Sequence, residues 1–254
     1  VSARLFLSIL GLWLAWSSAA SCTVISLCAD VWCPYNCKPG SARPGLAVEI
    51  AQAVFGQAGY TVDYEEVNWA RCIEDARAGR FTGIIGAIPT DAPDFTFPKS
   101  HIGISGDAYA VRRGDVFKFD GAASLKGRVL GVIRSYSFNG PIGAYIAAHA
   151  TDGRVEFVSG DGALTKNLDK LVAGRVDVVL DDRNVMLNAI EELGLKDRIT
   201  VTEGLNDAPI YIAFSPRSGQ PAKLAQLLDE GMAKLRASGR LAAILARYHI
   251  ADPG

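Results

Sequence analysis

One short pattern occurs twice in this chain, and it limits the folds open to it. Residues 69–89 run from Trp69-Ala-Arg71-Cys72 through Gly79-Arg-Phe-Thr-Gly-Ile-Ile-Gly86 to Ala87-Ile-Pro89, and residues 162–182 end on Gly174-Arg-Val-Asp-Val-Val-Leu-Asp181-Asp182. Each copy reads as helix, Gly-Arg turn, short buried strand and polar edge. In the first, Ile73 and Ala76 fall at helical spacing, and Gly79 stands where a left-handed residue ends a helix. The run Gly83 to Ile88 is almost without charge, as a strand covered on both faces requires. Two such units predict an α/β chain with mostly parallel sheet and flanking helices. Ligands then bind at loops leaving the carboxyl ends of the strands, here Pro89 to Phe95 and Asp181-Asp182. A pair of adjacent acids is most often a solvated turn, but at a strand end facing a cleft one of them becomes a ligand contact.

The first 22 residues stand apart. Arg4 precedes an uncharged run from Leu5 to Ala20, which closes on Ser17-Ser-Ala-Ala-Ser-Cys22. That is the layout of a secretory signal. A retained anchor would need about 20 consecutive apolar residues, more than this run offers. Cleavage after Ala20 and a periplasmic location are expected; cleavage before Cys22, leaving a lipoprotein, is the alternative. Export agrees with Cys28, Cys33, Cys37 and Cys72, all of which would enter an oxidising compartment. Cys33 and Cys37 are expected to bridge the loop that presents Trp32 and Tyr35, leaving Cys28 paired with Cys72 or free and buried. Zinc suits the cysteines less well, because His101, His149 and His249 are scattered and no second closely spaced cysteine pair exists.

Strand 23–30 delivers Asp30, Trp32 and Tyr35 into a loop, an acid followed by aromatics at a binding edge; local capping and lid packing are the plainer reading. Helix 45–59 follows, with Leu46, Ile50, Ala53 and Val54 on one face, and then strand 61–67. Further strands are expected at 102–111, 124–133, 155–158, 198–202 and 209–216. Helices are expected from about Pro141, at 162–173, and as a pair over 222–248 broken at Ser238-Gly239. Before Pro141, the segment Arg134 to Asn139 places Ser137 where backbone N–H groups can hold a polar head group, or where Ser135, Ser137 or Asn139 simply caps the helix. With 26 Lys and Arg against 27 Asp and Glu spread along 254 residues, no basic stripe is available for nucleic acid.

Taken in order, Asp30 with Pro34-Tyr-Asn36, Trp69 at a helix start, Ala78-Gly-Arg-Phe81, the loop ending Phe95-Thr-Phe-Pro98, and the closing Leu235-Arg-Ala-Ser-Gly-Arg-Leu-Ala-Ala-Ile-Leu-Ala-Arg-Tyr248 carry a resemblance. The chain resembles, over about residues 24–251, the periplasmic solute-binding proteins of polar amino acid ABC transporters, the family 3 bacterial extracellular solute-binding proteins. The resemblance implies a type II two-lobed periplasmic binding protein fold with two hinge strands. Lobe 1 would be 24–109 plus 212–254, and lobe 2 would be 110–211. It implies a monomer that captures a small polar or cationic solute for an ABC permease in the inner membrane, with no cofactor, metal or catalytic residue. The ligand contacts it implies are Asp30, Trp32, Tyr35, Trp69, Arg71, Ala87, Pro89, Ser137 and Asp182.

The chain departs from the family where amino acid binders hold a carboxylate. The arginine position falls on Asp94, and the hydroxyl positions fall on Gly86, Ala87 and Pro89, of which Pro89 lacks even a backbone N–H. A cleft built from Asp30 and Asp182 with Trp32, Tyr35 and Trp69 suits a cationic or hydroxylated solute, unless Arg71 or Arg112 turns into it. Two other functions stay open: an exported dehydratase on the same fold, using Asp or Glu for acid-base work, and a ligand-reading partner of a membrane sensor. No Gly-x-Ser-x-Gly elbow, paired-histidine metal motif or Walker loop is present.

Overall fold

A computed structural model describes residues 23–252; the proposed signal segment and Cys22 lie outside the described residues. The chain opens with β1 (Thr23–Ala29), α1 (Leu46–Gln57), β2 (Tyr60–Glu66), α2 (Trp69–Arg77) and β3 (Gly83–Ala87). It continues through β4 (Gly103–Arg112), β5 (Leu130–Ile133), α3 (Gly140–Ala148), β6 (Val155–Val158), α4 (Ala163–Val172), β7 (Val178–Asp182) and α5 (Arg183–Glu192). It closes with β8 (Ile199–Phe214), α6 (Pro221–Ala237) and α7 (Arg240–Arg247). Among the described residues no helix is long and apolar enough to cross a membrane.

The internal repeat is real in three dimensions. α2 and α4 end in the same way: Gly79 N–H bonds to Ala76 O and Arg80 N–H to Asp75 O, while Gly174 N–H bonds to Leu171 O and Arg175 N–H to Lys170 O. Both glycines have positive φ, at 89° and 72°. This cap satisfies the last helical carbonyls and turns the chain back into a strand. β3 then lies between parallel β1 and antiparallel β8, and β7 lies between parallel β5 and antiparallel β4. Every residue of β7 and all of β3 but Gly86 are buried, as the uncharged runs require.

The strands form one sheet in the order β2-β1-β3-β8-β4-β7-β5-β6. The sequence suggests a separate sheet for each lobe, with breaks between 202 and 209. Instead β8 is a single strand of 16 residues, pairing with β4 for most of its length and with β3 at its end. Its middle, Glu203 to Ala208, carries no β-branched residue and reads as loop from sequence; the ladder with β4 holds it extended, with a register shift between Gly106 and Ala108. The helix α5 was also not legible in the sequence. Its start is capped by Asp182, whose side chain accepts from Val185 N at 2.9 Å.

Packing pins the first half. α1 buries Leu46, Ala47, Ile50, Ala51 and Val54 against β1 and against α6 and α7, while Ala53 is only half-buried. Gly45 precedes α1 with φ 113°, and a Cβ there would lie 2.4 Å from Tyr35 O, so only glycine lets the β1–α1 loop fold back on itself. Both disulfides form: Cys33–Cys37 within that loop, and Cys28–Cys72 joining β1 to α2 across 44 residues of chain. The choice left open for Cys28 is thus settled by the Cα–Cα distance of 5.7 Å to Cys72.

Replacing Cys28 and Cys72 together with alanine is expected to lower the unfolding free energy by about 2–4 kcal/mol, read from the midpoint of a urea titration. Gly231→Ala should cost about 1–3 kcal/mol by the same measurement. Its Cβ would lie 2.3 Å from Val54 Cγ1 and force α6 off α1.

Candidate functional site

The carboxyl ends of β1, β3, β5 and β7 converge on a cavity of about 350 Å³. β1 supplies Asp30 and, two residues on, Trp32; the loop after β3 supplies Ile88 and Asp91; the loop after β5 supplies Tyr136 to Asn139; β7 ends in Asp181 and Asp182. β4 and β8 add Ser105 and Asp107 with Asn206 and Asp207. The placement follows from the parallel strands, which all end on the same edge, while β4 and β8 run across the floor.

Two hydrogen bonds cross the cavity between the two halves of the sheet. The Tyr136 hydroxyl donates to Asp30 Oδ2 at 2.9 Å, and the Trp32 indole N–H donates to Asp181 Oδ1 at 3.2 Å. Together these side chains form a wall; on its far side a second space of about 260 Å³ is bordered by Glu66, Asp161 and Glu192. Trp32 is held in place by stacking on Tyr35, with ring centroids 4.6 Å apart.

Asp181 and Asp182 differ sharply. Asp182 Oδ1 accepts from Val185 N and Oδ2 from Gly106 N at 3.1 Å, so its two oxygens serve the protein's own backbone. Asp181 Oδ1 accepts from Trp32 and from Asp182 N at 2.7 Å, whereas Oδ2 is buried and has no partner. The Asp181 residue is only 2% exposed. A buried carboxylate oxygen without a donor is costly, and a ligand that supplies one relieves that cost.

Of the expected contacts, Asp30, Trp32, Trp69, Ser137 and Asp182 line the cavity. The other four do not. Tyr35 lies behind the wall; its hydroxyl donates to Ile104 O and accepts from Asn184 Nδ2 at 2.8 Å. Ala87 is fully buried beside Ala92 and Phe95, Pro89 is exposed, and Arg71 points out with its side chain 75% exposed, pairing with Asp75. Trp69 is 5% exposed and packs mainly against the Cys28–Cys72 bridge and its apolar neighbours. Arg112 is also turned away, donating to Leu171 O, Val176 O and Asp177. Asp94 is held at the surface by Arg77 through two bonds of 2.8 and 2.9 Å. The residues the sequence did not single out are Asp91, Asp107, Tyr136 and Asp207, with Asp181 seen only as half of a pair. Recognising Asp182 as a helix cap would have left Asp181 as the free acid.

With this geometry, three comparisons converge. The model of the bacterial extracellular solute-binding proteins, family 3, matches residues 25–251. The chain belongs to that family. Among its relatives, the L-cystine-binding protein TcyA of Bacillus subtilis (strain 168) is 22% identical over 216 residues, 84% of this chain and 75% of that protein. Similar folds include a histidine kinase sensor domain with similarity to periplasmic binding proteins, at TM-score 0.74 and 22% identity over 89% of this chain and 95% of that one. A structure from the study of glutathione import via GshT and the cystine importer TcyBC of Streptococcus mutans matches at TM-score 0.74 and 16% identity, over 89% and 95% of the two chains. An ABC uptake transporter substrate-binding protein of Streptococcus pneumoniae with bound histidine matches at 0.73 and 18%, over 89% and 92%.

In this family 3 chain the cavity carries one sign of charge. Asp30, Asp91, Asp107, Asp181, Asp182 and Asp207 line it, with no Lys, Arg or His among the lining residues. Burial raises Asp30 and Asp181 from 3.8 to about 7, opposed by the Tyr136 bond to Asp30 and by the backbone and Trp32 bonds to Asp181. Burial likewise raises Asp182 to about 6, and raises Asp91 and Asp107. Among the described residues no cluster of His, Cys, Asp or Glu is arranged to hold a metal ion.

The sign of the pH dependence follows. A carboxyl group whose folded pKa is raised binds its proton better in the folded state, so its stabilising effect is lost as pH rises through the folded value. Carboxylates held low by cations, such as Asp94 beside Arg77, act only at more acid pH. The ligand-free protein is therefore expected to melt at a higher temperature at about pH 5 than at about pH 8, with Asp181→Asn reducing the difference. A melting temperature that rises across this range would contradict the assignment.

Proposed function

We propose that the chain is an exported, periplasmic, monomeric binding protein that closes over a small cationic solute and delivers it to an ABC importer in the inner membrane. The observation that carries this reading is the charge of the cavity: six aspartates and no basic residue around about 350 Å³. Charge of one sign between low-dielectric walls raises the local concentration of the opposite ion and strengthens its binding. The aromatic faces of Trp32 and Tyr136 add sites on which an ammonium or guanidinium can rest. Similar structures hold bound histidine and bound arginine, which agrees with a cationic solute, although an ancestral arginine-binding protein of the same fold holds glutamine.

In this reading residues 24–109 with 212–254 move against 110–211, and β4 and β8 flex between them. The bonds from Tyr136 to Asp30 and from Trp32 to Asp181 would be made on closing. The likeness to a histidine kinase sensor domain supports a second reading, in which the same capture step informs a membrane sensor instead of an importer.

Trp32 and Trp69 are the tryptophans among the described residues, and both line the cavity, so intrinsic fluorescence reports occupancy. Titration with arginine, lysine, their amine derivatives and glutamate is expected to give saturable changes with cations only. Saturation by glutamate at concentrations where no cation acts would overturn the reading.

A further inference from the structure

We propose that the solute is an amine or guanidine bearing no carboxylate, with Asp181 Oδ2 as the acceptor for its cationic head; this rests on the cavity being a cation site. An anion bound in a cleft needs basic side chains or free backbone N–H groups. No basic side chain lines this cavity. Several backbone donors along its edges are taken by the protein's own acids. Asp91 Oδ2 accepts from Ile88 N at 2.9 Å, Asp182 accepts from Gly106 N and Val185 N, and Asp181 accepts from Asp182 N. Each of these aspartates stands where a ligand carboxylate would otherwise dock, and each would repel it.

The start of α3, with Asn139 as its N-cap residue and no side-chain cap bond, is a further group of backbone donors at the cavity. It is hemmed in by acceptors. A Cβ on Gly140 would lie 3.5 Å from Asn206 Oδ1, and Asn206 gives its amide N–H to Asp107 at 2.8 Å. A hydroxyl or second ammonium fits that corner better than a carboxylate does.

Asp181 supplies the opposite demand. Its Oδ1 already accepts two hydrogen bonds, its Oδ2 is buried and accepts none, and the residue itself lines the cavity. An N–H⁺ from the ligand completes that carboxylate and offsets its loss of solvation. Asp30 on the same wall accepts from Tyr136 and adds a second acidic neighbour.

The test uses calorimetry on the secreted chain with three matched pairs that differ only by a carboxylate: lysine and cadaverine, arginine and agmatine, histidine and histamine. The carboxylate-free member of at least two pairs is expected to bind about tenfold or more tightly than its amino acid. Asp181→Asn is expected to weaken that binding by about ten- to a hundredfold without lowering the melting temperature. If that variant fails to fold, the matched pairs measured on the parent still decide the matter. Tighter binding of the amino acids overturns this proposal and leaves the cation site standing. Unchanged amine affinity in Asp181→Asn overturns the anchor. Failure of all six to bind at millimolar concentration overturns both the proposal and the cationic reading.

Discussion

The structure depends on one antiparallel ribbon, β4 against β8. These two strands share a ladder from Gly103 with Ile210 to Arg112 with Ile199, broken once at Gly106–Ala108. β3 joins the end of β8 on one side, and β7 joins β4 on the other. The two repeats are thereby held with their carboxyl-end loops turned toward a common cavity floored by Ser105, Asp107 and Asn206. The pairing is long-range in sequence and supplies its own backbone partners, so it needs little help from side chains in the middle of β8. That leaves Asn206 and Asp207 free to face the cavity.

What the ribbon assembles is electrostatically unfavourable by itself. Several aspartates with reduced solvation sit around one space, and the protein offsets part of the cost with its own donors: Tyr136 to Asp30, Trp32 to Asp181, and backbone N–H groups to Asp91 and Asp182. The first two of these bonds join the two halves of the sheet, and the backbone bonds occupy donors that an anion would need. The acidity of the cavity and the bonds across it thus come from one arrangement, in which acceptors outnumber donors.

The disulfides serve this arrangement from behind. Cys28–Cys72 ties the strand that ends in Asp30 to the helix that starts with Trp69. Cys33–Cys37 closes the turn between Trp32 and the buried Asn36, whose amide donates to Asp30 O at 2.6 Å. The aromatic side of the cavity is thus braced by covalent bonds and the acidic side by a helix cap.

The sequence by itself determined the repeat, the helix-ending glycines, the buried strands and the strand edge at which the cavity lies. Those features depend on local backbone preference and hydrophobic period, which neighbouring residues are enough to reveal. It also placed Asp30, Trp32, Trp69, Ser137 and Asp182 around one cavity. It misplaced Tyr35, Arg71, Ala87 and Pro89, because side-chain direction at a strand end or in a loop is decided by partners far along the chain: Ile104 and Asn184 for Tyr35, and the packing beside Phe95 for Ala87. It left Asp181 and Asp182 as an undivided pair. Only the tertiary structure separated them, since α5 and Gly106 take the oxygens of Asp182, and Trp32, 149 residues away in sequence, takes one oxygen of Asp181 and leaves the other without a partner.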